Sequence, residues 1–144
     1  MGIFIGTINL KYKNMENKFN EATPLRPEGD RVLDAPLVEM DLNQFITQIK
    51  DETTWQDSDR NSITIYKSAK LTIVLIGLHK DAELKPHKAN GDITVQVLEG
   101  KIQFVTEAEH TSLQKGQLLA LHANIIHSVV AKEESFFLLT KLSS

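Results

Sequence analysis

Five histidines are the residues best suited to chemistry in this chain, and it contains no cysteine. Two of them recur in matching contexts. His87-Lys-Ala-Asn-Gly-Asp-Ile-Thr-Val-Gln-Val-Leu-Glu-Gly100 and Gly116-Gln-Leu-Leu-Ala-Leu-His-Ala-Asn-Ile-Ile-His127 are strand-turn units, each with one histidine and one turn glycine. Imidazole can ligate a metal, move a proton, or hold a polar ligand. The lack of thiols removes Cys nucleophiles, disulfides and Cys-ligated zinc together. No Gly-rich loop opens a helix, no Ser nucleophile motif occurs, and no pair of carboxylates has a credible catalytic spacing. The chemistry on offer is therefore that of neutral nitrogen donors.

Those donors must be positioned by strands. From residue 62 onward the runs Ser62–Lys67, Leu71–His79, Ile93–Leu98, Lys101–Thr106, Gln117–Leu121, His127–Ala131 and Ser135–Leu139 are rich in β-branched and aromatic residues. Turn signals separate them, including Lys80-Asp81, Asn90-Gly91, Glu99-Gly100, Lys115-Gly116 and Ala123-Asn124. Strands in series with no helix between them predict an antiparallel sandwich or barrel. Leu71-Thr-Ile-Val-Leu-Ile is apolar on both faces, so it must be covered on both sides. A second sheet and an N-terminal arm would do this, and so would a second subunit. The surplus of such strands predicts a homodimer.

Before the strands, residues 41–51 read as a helix. Asp41 is a candidate N-cap with Gln44 three residues on, and Leu42, Phe45, Ile46 and Ile49 form one apolar stripe. Residues 17–36 are polar and broken by Pro24, Pro27, Gly29 and Pro36, which predicts an irregular arm pinned by Leu33, Leu37, Val38 and Met40. Residues 51–61 read as a polar loop around Trp55, a packing anchor. Residues 1–35 are thus expected to be an extension, and 36–144 one barrel domain. Met15 is an alternative start, which would make residues 1–14 an appendage.

A chain of 144 residues suits one domain. With 16 Lys+Arg against 19 Asp+Glu the net charge is −3, and no basic block marks a nucleic-acid surface. The apolar start is too short to span a bilayer and lacks a cleavage site, and Gly6 stands where a myristoylation signal has Ser or Thr. A cytoplasmic protein without nucleic-acid or membrane partners is expected.

The two strand-turn units resemble the paired motifs of the cupin superfamily, over roughly residues 62–140. Leu78-His-Lys with Ala82-Glu-Leu-Lys-Pro-His87, Val95-Gln-Val-Leu-Glu-Gly100 and Leu121-His with His127-Ser-Val are similar to small single-domain bacterial cupins of type 2. The resemblance implies an all-β, antiparallel double-sheet jelly-roll barrel with one N-terminal helix, and usually a homodimer. Aligned on Gly100, His87 falls on the first family histidine, Ala89 on the second and Ile93 on the glutamate. In the second motif Gly116 and His127 match, His122 replaces a proline and Ala131 replaces an asparagine. Two of the four usual ligands are therefore kept.

Transition metals need three or four protein donors. Asp92 neighbours the glutamate position but alternates to the other face, unless a bulge at Asn90-Gly91 turns it. His122 or His79 could complete a His-rich set. His79 and His110 otherwise suit structural or surface roles. Three functions follow from the resemblance. The first is a barrel binding a small polar or anionic molecule between His87 and His127, with Ala89, Ile93 and His122 lining the pocket and no tightly held metal. The second is a metal-dependent oxygenase or isomerase, its divalent transition metal on His87, His127 and His122. The third is a structural dimer with a filled barrel.

Overall fold

In a computed structural model, residues 18–26 and 31–143 are described. Residues 1–14 lie outside them. The strands are β1 (Lys18–Asn20), β2 (Arg31–Asp34), β3 (Arg60–Lys67), β4 (Leu71–Leu78), β5 (Glu83–His87), β6 (Gly91–Glu99), β7 (Lys101–Thr106), β8 (His110–Gln114), β9 (Leu118–Leu121), β10 (His127–Ala131) and β11 (Ser135–Ser143). The helices are α1 (Leu42–Asp51) and α2 (Thr53–Asp57). Two antiparallel sheets face each other: β5-β10-β7-β8, and β3-β4-β11-β6-β9. This is the all-β double-sheet barrel that the strand spacing predicts.

Alternation sorts the side chains. On β6, Ile93, Val95 and Val97 are buried while Asp92 and Glu99 are exposed. They meet Ile102, Phe104, Leu113, Val129 and Ala131 of the opposite sheet, with Leu78 and Phe137 completing the interior. The outer face of the five-stranded sheet carries a second core, Ile63, Ile65, Leu75 and Phe136, against Ile46, Ile49 and Trp55. Strand β4 is apolar on both faces because each face meets one of these cores. The helices cover the second face, so the reason given for a partner subunit is met within the chain.

The helix begins as its sequence dictates. Asp41 accepts hydrogen bonds from the backbone N–H groups of Asn43 and Gln44, satisfying two donors that a first turn leaves open.

Several expectations need correction. Residues 53–57 form a short helix rather than loop. The arm is not irregular: β1 and β2 pair as a two-stranded sheet, and Arg31 donates to the Thr64 carbonyl at 2.9 Å and 2.6 Å. Leu33 is buried, but Leu37 is 82% exposed and pins nothing. Strands β5 and β8 stand where composition carries no strand signal. Both are the polar edges of the four-stranded sheet, where a proline or a charged run is tolerated because one side needs no ladder.

Candidate functional site

His87 ends β5, His127 opens β10 and Thr106 ends β7, and the three are register partners across one end of the sheet. His127 and Val129 point inward by simple alternation. His87 needs help to do so. Leu84 pairs with Val129, and His87 pairs with His127, so three steps on β5 match two on β10. Without that irregularity, Leu84 and His87 would face opposite sides of the sheet. The bulge falls at Lys85-Pro86, where proline removes a ladder donor, and it turns His87 onto the inward face.

The two imidazoles lie 4.4 Å apart between centroids, tilted by 59°. The Phe104 ring is stacked against His127 at 5.2 Å and 13°. His127 Nδ1 lies 2.9 Å from the Ile125 carbonyl oxygen, and His87 Nδ1 lies 2.7 Å from that of Lys85. A carbonyl only accepts, so each Nδ1 carries its proton and donates. In the neutral ring Nε2 then keeps a lone pair. Neither Nε2 has a protein partner, and no fully buried side-chain nitrogen or oxygen among the described residues is left unpaired. The His127 Nε2 is therefore not sealed off from solvent, and His87 is itself an exposed residue. Burial lowers the His127 pKa, against a raising effect of the Ile125 carbonyl, and nearby His87 lowers it further. His127 is thus held neutral, as a hydrogen-bond acceptor or ligand should be.

Beside this pair a cavity of about 230 Å³ opens between the sheets, lined by Phe104, Thr106, Glu109, Thr111, Leu119 and Leu121. Another hollow, of about 270 Å³, reaches His127 past Pro86, Val105 and Ile126. Other concavities, such as one of about 300 Å³ bordered by Arg31, Val38, Met40 and Phe45, lie beside α1 and the arm, away from the histidines.

No protein-family profile matches the sequence, and neither does any curated protein. Solved structures do match. A cupin 2 conserved barrel domain protein from Leptotrichia buccalis is 31% identical, with a TM-score of 0.56 over 62% of this chain and 43% of that one. A cupin superfamily protein from Desulfitobacterium hafniense aligns over 59% of this chain and 78% of its own, at 19% identity and a TM-score of 0.58. The chain has the cupin fold. A conserved protein of unknown function from Streptococcus pyogenes spans more of this chain, 78% of it and 91% of its own length, at 27% identity and a TM-score of 0.62.

The structure sorts the sequence candidates. His87 and His127 come together. Ile93 points inward, but it is 3% exposed within the packed interior and lines neither hollow near the histidines. Ala89 is half-buried against the same core. His122 does not join the pair. Its side chain is 91% exposed and its Nδ1 lies 3.9 Å from Asp92. The cause is local: β9 ends at Leu121, and Asp92 Oδ1 accepts the Ala123 N–H while the Asn124 N–H bonds the Ala89 carbonyl. That turn, with Asn124 at φ 65°, carries His122 outside the barrel. Asp92 is accordingly committed to the outer turn, and no bulge brings it in.

His79 is structural. It stacks on Trp55 at 3.6 Å and its Nε2 lies 2.8 Å from the Trp55 carbonyl oxygen. His110 is exposed at the start of β8. Among the described residues no three His, Asp or Glu side chains converge as a metal set. Two imidazoles fall short of the three or four donors a resident transition metal takes from protein. No step is therefore derived through a metal.

The sequence reading missed Phe104, Thr106, Glu109, Thr111 and Leu119 as site residues. A signal existed for two of them. Ile102, Phe104 and Thr106 alternate on β7, and pairing β7 with β10 puts Thr106 beside His127.

Proposed function

We propose that this cupin-domain protein binds a small molecule at the barrel mouth, using His87 and His127 as polar contacts and no tightly held metal. The supporting observation is the closeness of the two rings and their matching tethers: the centroids lie 4.4 Å apart, each Nδ1 is tied to a carbonyl of its own chain segment, and neither Nε2 has a protein partner. Fixing both rings this way is the arrangement that pre-organises a polar contact. The interior below is filled by side chains, so the ligand sits at the mouth rather than deep in the barrel.

One observation favours a second reading. Metal-bound histidines also donate their other ring nitrogen to a carbonyl, so a substrate that supplied the missing donors would turn the pair into half of an enzyme site. Elemental analysis of protein purified without a His-tag separates the two. Trace metal together with a ligand retained in native mass spectrometry supports the binding module. Stoichiometric iron, manganese, nickel or zinc overturns it in favour of an oxygenase or isomerase. Among the described residues no helix is long and apolar enough to cross a membrane. The lack of cysteine fits a reducing compartment, and we propose the cytoplasm.

A further inference from the structure

We infer that the barrel mouth takes a carboxylate-bearing ligand, anchored by its acid group on Lys141 and presenting a hydroxyl or N–H to the histidines. The inference rests on the binding reading above and narrows it to a ligand class. Lys141 lies near the end of β11, where it is the register partner of Ile93 on β6 and of Thr72 on β4. Residues directly opposite one another share a face of the sheet. Ile93 packs in the interior, so Lys141 is on the inward face too. It is half-buried, and its ammonium donates to Asn90 Oδ1 at 3.3 Å. Among the described residues it stands in no ion pair. An ammonium has three N–H donors, so two of them and the whole charge remain without a protein partner. A charge drawn partly out of water is ordinarily paired, and here the protein supplies one neutral amide oxygen.

Topology puts this ammonium on the sheet that faces the imidazoles. β11 is the middle strand of the five-stranded sheet and β10 an inner strand of the other, and Phe137 of β11 meets Val129 and Ala131 of β10 in the shared interior. β5 ends at His87 and β6 begins at Gly91, opposite Ser143 of β11, so Lys141 stands at the histidine end of the barrel. Asn90, its hydrogen-bond partner, is three residues past His87, a chain distance of at most about 11 Å. Lys67 and Lys70 border the same end at the turn between β3 and β4, again outside any ion pair among the described residues. The acids of this end are placed apart: Glu107 and Glu109 on the turn into the edge strand β8, and Asp92 on the outer face. The roles divide by charge. An Nε2 lone pair repels a carboxylate and accepts from a hydroxyl, which turns the acid group toward Lys141 and the donor toward His127. One ammonium with two open N–H groups matches the single charge and two oxygens of a carboxylate rather than a doubly charged phosphate.

The test uses the full chain, isotopically labelled, with para-hydroxybenzoate and glycolate each compared with its neutral amide in titrations at neutral pH. His87→Gln, His127→Gln and Lys141→Met assign the side-chain signals. Both acids should shift the signals of the two rings and of Lys141. They should bind at least about tenfold more tightly than their amides, the scale of one hydrogen bond to a charged group. Lys141→Met keeps an unbranched apolar stem; it should abolish that preference and leave amide binding unchanged, and Lys141→Arg should restore it. Equal binding of acids and amides, with the ring signals shifted, would overturn the anchor and leave the histidine site standing. A preference for acids that survives in Lys141→Met would put the anion elsewhere and overturn the anchor as well. A preference that Lys141→Met removes, with the ring signals unmoved throughout, would uphold the anchor and overturn the histidine reading. Unchanged signals with all four probes would overturn both.

Discussion

Arg26→Ala should lower the melting temperature by far more than an ordinary surface substitution. Arg26 reaches from the arm to the junction of α1 and α2, where its guanidinium donates to both Glu52 carboxylate oxygens at 2.8 Å and to the Ser62 carbonyl at 2.8 Å. The Arg26 side chain is 20% exposed and that of Glu52 only 8%. Removing one partner of a buried pair costs about 3–5 kcal/mol when the remaining charge is left alone. Here it is not quite alone, since Asn61 donates to Glu52 at 2.9 Å and Gln48 at 3.1 Å. We therefore expect a loss of about 2–3 kcal/mol, because those hydrogen bonds offset part of the penalty. For a chain of this size that is a fall of about 5–10 °C. Burial would raise the Glu52 pKa, but hydrogen bonds from Arg26, Asn61 and Gln48 and the Arg26 charge hold it below the ordinary value. The stabilisation is therefore complete above the ordinary Glu range of about 4.3 and is lost as pH falls through the lower folded pKa. Thermal denaturation of wild type, Arg26→Ala, Glu52→Gln and the double variant at pH 7 measures the coupling. A fall below about 1 °C in Arg26→Ala would refute the reasoning, because it would mean that Glu52 is hydrated rather than buried.

Gly100 and Gly116 share a φ of 85°, but a Cβ on Gly100 would also overlap the Glu134 carbonyl and the Ser135 hydroxyl, while Gly116 faces open space. Gly116→Ala should cost about 1–2 kcal/mol from backbone strain alone, and Gly100→Ala about 1–3 kcal/mol more from the overlap; equal urea midpoints would disprove the difference. The lowered His127 pKa means that the unfolded chain takes up a proton there first. Stability from this group is full above the ordinary His value of about 6.5 and declines as pH falls through the lower folded value. His127→Phe should flatten that part of the pH–stability curve, and an unchanged slope would show that His127 is not held neutral.

Helix α1 was legible because capping and periodicity agree: Asp41, Gln44 and the Leu42–Ile49 stripe point to the same element. The turn glycines were legible from the turn signals around them, and the pairing of His87 with His127 from the resemblance to the paired cupin motifs. The edge strands were not. Pro86 and the charges of β5 argue against a strand by composition, and only the neighbouring strand β10 makes one of it. The bulge that turns His87 inward is likewise a property of the pair of strands. His122 misled because nearness in sequence to His127 is undone by the Asn124 turn, which depends on Asp92 from a distant segment. The two-faced apolar strand β4 was read correctly as doubly covered. The cover proved to be α1 and α2, since a short helix around Trp55 leaves little trace in a polar sequence.

The most direct test of the central claim is the tautomeric state of His87 and His127, read from long-range proton–nitrogen correlations of the imidazole rings in the nitrogen-15-labelled chain above pH 7. The account predicts that both rings carry their proton on Nδ1 and leave Nε2 bare. Either ring found protonated on Nε2 would contradict it, because that nitrogen could then neither accept from a ligand nor ligate a metal.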